Sequence, residues 1–473
     1  MSARDWLIVI PELILLVTAV AVMFIDAFAR NRWGRFMPWK ALSGVVLAMI
    51  AEGFLWNYRY VGFNGMLVND NFAVIVNFAV LIGTGLSILM SVDYARREEL
   101  PQGEYYALML LSSLGMLLMT ASANLIMVFL SLEVLSIALY VLTGIAGARR
   151  KSQEAGMKYF LLGSFSSAFF VYGAALIYGA AGTIDLRAIA SAPPNTLLAA
   201  GAALVIVGLG FKVAVVPFQM WTPDVYEGAP SPITAYMSIG SKAAAFAALT
   251  RVLTVGFAGI EPVWVAAIWV IAVLTMIVGN VVAISQDSIK RMLAYSSIAH
   301  AGYIMVAIAA ANDLGRQAIP FYLMTYAFMN LGAWAVVTAV TRKGEEATGL
   351  ADYSGLFWSH PVLATAMALF MFALAGLPPT AGFTAKIFIF AAAYQAGMIG
   401  LVIIAVLTTI VSAYFYLRVT VMMFMHRPKD PPEVRVPVPT TIAIAIAGIA
   451  TIWLLVFPET SGAFVASVAR LLP

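Results

Sequence analysis

From residue 6 to residue 458 the sequence repeats one pattern: a long apolar stretch, a short polar loop, then another apolar stretch. An α-helix needs about 20 apolar residues to cross a bilayer. Stretches of that kind fall near 6–29, 37–57, 66–92, 105–121, 124–146, 153–181, 196–220, 231–256, 262–284, 291–311, 317–341, 361–391, 396–425 and 438–458. They predict an all-α polytopic membrane protein with about fourteen transmembrane helices. Of the 473 residues, 62% are hydrophobic and only 11% are charged, against about 25% charged in soluble domains. So few charges cannot cover a surface that faces water, and a lipid bilayer is the expected surrounding. The short alternating segments of a membrane β-barrel do not occur.

Basic residues divide unevenly between alternate loops. With the first loop taken as cytoplasmic, the inside segments hold Arg30, Arg32, Arg35, Lys40, Arg96, Arg97, Arg149, Arg150, Lys151, Lys290, Arg291, Arg342, Lys343, Arg427, Lys429 and Arg435. The outside segments hold Arg4, Arg59, Arg187, Arg316 and Arg470, and six basic residues lie within spans. Cytoplasmic loops are enriched in Lys and Arg, and one miscounted span would scramble the alternation. An even count with both termini outside follows. The net charge of +4 reflects this bias, and no basic tract interleaved with aromatics points to nucleic acid. The first apolar stretch lacks a small-residue cleavage site before Arg30 and is expected to be retained as a span.

Several chemistries are excluded. There is no cysteine, hence no disulfide, iron–sulfur cluster or thiolate metal site. His300, His360 and His426 are scattered, which argues against a metal cluster. No Walker A or GxGxxG motif is present. No cofactor is expected in this chain, so energy for moving ions must come from a gradient or a partner.

Loops are short, so one membrane domain is expected, with the Pro-rich "HRPKDPPEVRVPVP" at 426–439 as a cytoplasmic connector to the last span. Two regions look interrupted. "PFQMWTPDVYEGAPSP" at 217–232 holds four prolines between apolar spans, and "LAGLPPTAGFTAK" at 374–386 lies inside a run too long for one straight crossing. Backbone freed from helix hydrogen bonds inside a membrane is tolerated only against protein or a wet cavity. Paired interruptions of this sort mark ion paths in transporters. Either Lys242 or Lys212 is then the counterpart of Lys386, and the second pairing is favoured because both would sit on broken helices.

Charged groups inside apolar stretches are the next clue. Each costs roughly 2.5–3.5 kcal/mol to insert, and in membranes such groups mark ion or proton paths. Glu133 lies near the centre of "NLIMVFLSLEVLSIALYVL" and is expected to be held ionised by a lysine. Lys158 lies early in a helix that Ser152 is expected to cap, where it is either functional or snorkels to the surface. Lys212, in "LVIVGLGFKVAVVPF", is too deep to snorkel, and Gly208 and Gly210 are expected to leave room for water. Burial penalises its charged form and a nearby carboxylate favours it, so a lysine moving between such settings takes up and releases protons. Lys242 is set among small residues in "YMSIGSKAAAFAAL", which also suits an interhelical hydrogen bond. Lys386 follows the "GLPPTAG" break. His300, in "KRMLAYSSIAHAGY", suits a proton shuttle or a plain hydrogen bond, with Tyr295, Ser296 and Ser297 placed to position water. Asp224 and Glu227 are expected in a solvated loop. Asp26, Arg251 and Arg418 are expected as anchors near span ends.

"VVPFQMWTPDVYEGAPSPITAYMSIGSKAAAF" (215–246) and "SIKRMLAYSSIAHAGY" (288–303) resemble the shared core of the antiporter-like membrane subunits of respiratory complex I and of multisubunit cation/proton antiporters. The resemblance covers roughly residues 105–425. It implies fourteen helices, two inverted five-helix repeats, and discontinuous seventh and twelfth helices around a hydrophilic axis. On that scheme 1–104 is an N-terminal three-helix segment, 105–256 and 257–425 are the repeats, and 426–473 holds the connector and last helix. Within the family the likeness is to the branch with a "PELILL" start (11–16), a lysine at 386 and an end soon after the last span.

The resemblance implies that Glu133 is the fifth-helix carboxylate and Lys158 a sixth-helix lysine. It makes Lys212 the seventh-helix lysine, Lys242 the eighth-helix lysine and Lys386 the twelfth-helix lysine. Gln219 departs from the family, since many relatives carry histidine there, and Gln cannot titrate. The implied setting is a bacterial inner membrane, beside other complex I membrane subunits including a neighbouring antiporter-like one. NAD, FMN, iron–sulfur clusters and quinone would be held by partner subunits. The expected function is proton translocation driven by quinone reduction elsewhere. The rivals are a subunit of a standalone sodium/proton antiporter, and a purely structural scaffold that tolerates neutral replacement of its central charges.

Overall fold

A computed structural model describes residues 2–29, 34–342, 345–426, 433–434 and 436–456. The chain is a bundle of α-helices in which most long helices pack against a neighbour in sequence. The N-terminal part comprises α1 (Ala3–Leu7), α2 (Ile10–Ala29), α3 (Met37–Phe54) and α4 (Asn71–Arg97). Next come α5 (Gln102–Thr120), α6 (Leu125–Thr143), α7 (Arg150–Ala181), α8 (Leu186–Ala190), α9 (Thr196–Val213), α10 (Thr222–Gly228) and α11 (Ser231–Arg251). The remainder is α12 (Glu261–Ile284), α13 (Ile289–Ala309), α14 (Asp313–Ala339), α15 (Leu356–Ser359), α16 (Pro361–Ala375), α17 (Ala381–Gln395), α18 (Ile399–Met425) and α19 (Val438–Val456).

Short polar side chains start many of these helices by occupying backbone N–H groups that have no intrahelical partner. Asp70 accepts from Ala73 N–H at α4, Asn124 from Ile126 at α6, and Asn195 from Leu198 at α9. Ser288, Asn312 and Thr380 do the same for α13, α14 and α17. Ser152 does not cap α7 as expected. That helix already begins at Arg150, and the Ser152 hydroxyl donates to the Thr143 carbonyl (2.8 Å).

Nine helices among the described residues are long and apolar enough to cross a membrane. The other five expected crossings, at 37–57, 105–121, 231–256, 361–391 and 438–458, fall on helices that are shorter or more polar. The case of α11 shows why. Every residue of α11 is buried, so it meets protein on all sides and can carry Ser, Thr and Lys that lipid would not tolerate. α13 and α14 are similarly enclosed, whereas α7, α12 and α18 turn large apolar side chains outward.

The few strands are confined to loops. β1 (Tyr60–Gly62) and β2 (Leu67–Asn69) form a hairpin, and β3 (Val340–Arg342) lies between β4 (Glu345–Glu346) and β5 (Glu433–Val434). Arg30, Arg32, Lys343, Arg427, Lys429, Arg435 and Arg470, with most of the Pro-rich connector, lie outside the described residues.

The two interruptions are real breaks. α9 stops at Val213, where Ala214 takes a left-handed conformation (φ 61°), and helix resumes as α10 at Thr222. α16 stops at Ala375, Gly376 is left-handed (φ 73°), and α17 starts at Ala381. A β-carbon on Gly376 would sit 2.8 Å from Lys386 Cδ, so glycine serves both the turn and the close approach of that lysine.

Candidate functional site

Lys212 occupies the last turn of α9, at the edge of the first break, and is 2% exposed. Its ammonium donates to Ser136 Oγ on α6 (2.8 Å) and to Tyr159 OH on α7 (2.9 Å). The Tyr159 and Tyr140 rings lie 5.0 and 5.8 Å from it. Trp221, in the broken segment, folds back on the same place. Its indole donates to the Phe211 carbonyl (3.0 Å) and its ring stacks on Tyr159 at 4.6 Å.

Glu133, expected to be held ionised by a lysine, makes no ion pair with Lys212. Glu133 lies one turn before Ser136 on α6, is partly exposed on the flank of the bundle, and accepts from Ser167 Oγ on α7 (2.5 Å). Helix geometry explains this. Residues three apart share a face, so Ser136 interposes its hydroxyl where a carboxylate would reach. Gly208 and Gly210 serve packing rather than water. A β-carbon at Gly208 would stand 2.7 Å from Phe170 Cβ, and one at Gly210 3.0 Å from Phe218.

Lys242 projects from the middle of α11 and is 3% exposed. It donates to both the carbonyl (2.9 Å) and the hydroxyl (2.5 Å) of Ser297 on α13. From Ser297 a polar stripe runs along one face of α13 at three-residue intervals: Ser297, His300, Tyr303. His300 Nδ1 is 2.6 Å from Tyr322 OH on α14, and its Nε2 is 3.2 Å from Tyr416 OH on α18. Tyr416 also meets Ser296 Oγ (2.5 Å), and the Tyr326 ring lies 4.7 Å from the imidazole. Tyr303 presents its ring to Lys386, whose nitrogen lies 4.6 Å from the centroid. Lys386 then donates to the carbonyl of Ala375, the last residue of α16 (3.0 Å), and is 3% exposed. Lys242, Ser297, His300, Tyr303 and Lys386 thus form a buried polar row, hydrogen-bonded from Lys242 to Ser297 and carried on by ring contacts of His300 with Tyr303 (6.0 Å) and of Tyr303 with Lys386.

Lys212, Lys242 and Lys386 share a chemistry. Among the described residues each donates to hydroxyl or carbonyl oxygens and none is paired with a carboxylate. A hydroxyl can accept from an ammonium or donate to a neutral amine. The contacts of Lys212 and Lys242 therefore survive either protonation state.

Lys158 belongs elsewhere. Its side chain is 41% exposed and bonds to Glu154 (2.7 Å) and Asp224 (2.8 Å). Asp224 and Glu227 are not a solvated loop but part of α10, where Arg291 Nη1 bridges them at 2.8 and 3.0 Å and Lys151 adds a bond to Glu227. Burial opposes ionisation of both acids, yet these cations hold them below the usual carboxylate range.

Sequence reasoning missed the hydroxyls that link the charges, Ser136, Tyr159, Tyr322 and Tyr416, because ordinary Ser and Tyr carry no signal of their own. It also missed a partly buried ion-pair cluster that ties the ends of α4, α7 and α13 together. Lys290 donates to the Ala229 carbonyl (2.7 Å) and pairs with Glu346 (3.3 Å). Glu346 also lies 3.5 Å from Arg149, which pairs with Glu98. Arg251 is no surface anchor. It forms a two-pronged buried pair with Asp70 (2.9 and 3.0 Å). Arg418 does hold a loop, through Asp287 (2.9 Å).

Comparison with known proteins is extensive. Residues 122–412 match the family described as NADH:quinone oxidoreductase/Mrp antiporter, transmembrane. NADH-quinone oxidoreductase subunit N of Trichlorobacter lovleyi is 46% identical over 93% of this chain and 92% of its own length. A chain of respiratory complex I from Thermus thermophilus with bound aureothin superimposes with a TM-score of 0.84. It is 35% identical and covers 95% of this chain and 98% of its own. A chain of the Mrp complex from Dietzia sp. shares the fold (TM-score 0.88, coverage 99% and 97%) at 21% identity.

Proposed function

The chain belongs to the NADH-quinone oxidoreductase subunit N family of antiporter-like multi-pass membrane subunits, and on that premise we propose that it moves protons along its buried lysines. Protons enter from the cytoplasmic face, load Lys212, pass Lys242 and leave by way of His300 and Lys386. Glu133 acts on Lys212 through space, across Ser136, rather than by contact. Lys158 serves at the mouth, in the ion-pair cluster with Asp224.

The observation that carries this reading is the line from Lys242 to Lys386. An ionisable group in a membrane interior is expensive, and three lysines without acid partners are a costly way to supply hydrogen-bond donors that neutral polar side chains also carry. Their oxygens accommodate both protonation states. Tyr226 and Tyr326 lie beside Ser297 and add further hydroxyls to the row.

Both breaks support a repeat scheme with 1–104 as an N-terminal segment, 105–256 and 257–425 as two inverted units, and 426–473 as the C-terminal part. In each unit a helix ends beside a lysine, where the carbonyl end of the helix dipole favours a cation. The chain works in a bacterial inner membrane with both termini on the outer side. It sits among other complex I membrane subunits, including a neighbouring antiporter-like one. Partner subunits hold NAD, FMN, iron–sulfur clusters and quinone, and quinone reduction there drives the cycle. No cofactor is assigned to this chain.

The test is proton pumping by assembled complex carrying Lys212→Ala or Glu133→Ala. Both substitutions should depress pumping together with coupled quinone reduction. Normal proton stoichiometry in both would leave the scaffold role standing.

A further inference from the structure

Two glutamates outside the lysine line are also buried. Glu12 lies in the first turn of α2 and Glu52 near the end of α3, and they are 5% and 1% exposed. α2 and α3 are pressed together, to the point that a β-carbon on Gly44 would overlap the Thr18 side chain. Glu52 Oε1 accepts from Asn77 Nδ2 on α4 (3.0 Å), and Asn77 Oδ1 is held by the hydroxyl of Thr120, which ends α5. The site is therefore built from four helices. The Oε2 atoms of both glutamates are buried and have no hydrogen-bond partner. Because Gly44 on α3 faces Thr18 on α2, Glu52, eight residues after Gly44, and Glu12, six residues before Thr18, fall at the same end of this helix pair.

Among the described residues no cation neutralises the pair. Other charges at this end of the bundle are engaged or exposed. Asp5 accepts from Tyr60 OH and Phe63 N–H, Asp70 pairs with Arg251, and Arg59 is on the exposed loop after α3. At the far ends of α2 to α5 stand Asp26, Lys40, Asp93, Arg96, Arg97 and Glu104. At 1.5 Å per residue, Lys40 is about 18 Å along α3 from Glu52, and the others are farther along their own helices.

We propose that Glu12 and Glu52 share one proton and form a proton-binding site separate from the lysine line. Two neighbouring carboxylates in an apolar setting do not both ionise at neutral pH. A single negative charge is supportable, because Glu12 stands in the first turn of α2, at the positive end of its dipole, and Glu52 has the Asn77 amide. A metal cation is the poorer occupant. Asn77 turns a donor toward the carboxylate, and among the described residues no third acidic or histidine side chain joins the two.

Dicyclohexylcarbodiimide, a lipophilic reagent, reads this state directly. The carboxyl proton moves to a carbodiimide nitrogen, the carboxylate oxygen bonds the central carbon, and rearrangement leaves a stable N-acylurea. Membranes holding the whole complex, treated at neutral pH and analysed by peptide mass spectrometry, should show an adduct on Glu12 or Glu52 but never on both in one chain. E12Q/E52Q should lose it. Chains modified at both glutamates, or at neither, would overturn the proposal. Should the double variant fail to assemble, wild-type labelling at rising pH takes its place: the yield at these glutamates falls as the shared proton is lost, and a yield that is flat or absent counts against the site.

Discussion

Lys386 on α17 reaches across the second helix break and donates to the carbonyl of Ala375, the last residue of α16 (3.0 Å). The lysine thus satisfies an acceptor that the break itself created, at the negative end of a helix dipole. Its charge and the discontinuity are one device.

Lys386→Met should therefore do two things. Proton pumping should fall several-fold in assembled complex, and the vacated Ala375 carbonyl should lower stability by about 1–3 kcal/mol. Vesicle acidification and thermal unfolding check the two effects. Unchanged pumping with lowered stability would make Lys386 a cap and nothing more.

Lys212 has two hydroxyl acceptors. Ser136→Ala or Tyr159→Phe alone should weaken pumping partially, since the other oxygen remains. Together they leave a buried ammonium without an acceptor and should match Lys212→Ala. Initial pumping rates in the three variants decide this, and additive small effects would argue that the hydroxyls are incidental.

The Asp70–Arg251 pair is the clearest structural element. Removing one partner of a buried pair costs about 3–5 kcal/mol, because the other charge is left unpaired. Arg251→Met should reduce assembled subunit by that measure. Adding Asp70→Asn, which retains the cap of α4, should recover much of the loss in a double-mutant cycle.

Glu346 gives a pH test. Burial alone would push its carboxyl up, but Lys290, the Ser231 N–H, Tyr94 and Arg149 outweigh burial and hold it at about 2. A carboxyl depressed in the folded state stabilises fully above its unfolded value near 4.5 and loses that contribution as pH falls toward 2. Wild type should exceed Glu346→Gln by roughly 3 kcal/mol at neutral pH, with the gap closing between pH 4.5 and 2. Urea unfolding of the complex at several pH values measures it, and a gap independent of pH would contradict the ion-pair explanation.

The fold was largely legible because lipid forces apolar length and the loops concentrate charge. Both breaks were legible because Pro217, Pro223, Pro378 and Pro379 stand where a straight helix would otherwise run. Lys212, Lys242 and Lys386 announced themselves by their insertion cost. What the sequence hid was pairing. Glu133 and Lys212 are 79 positions apart, and only the packed helices reveal that Ser136 meets Lys212 while Glu133 meets Ser167. Lys158 and Arg251 read as similar near-end cations, yet one is a surface ion pair and the other is buried against Asp70. Glu12 and Glu52 passed unnoticed because each lies near a span end, where a carboxylate is ordinarily wet.

Lys242 is the link on which the proposed proton path depends, since it opens the stripe on α13 through its two bonds to Ser297. The number of protons pumped per electron pair by assembled complex with Lys242→Met is the decisive quantity. Loss of pumping with quinone reduction slowed in step is the outcome expected of a conducting residue. Wild-type stoichiometry at a wild-type rate would mean that the line is packing and that protons cross elsewhere.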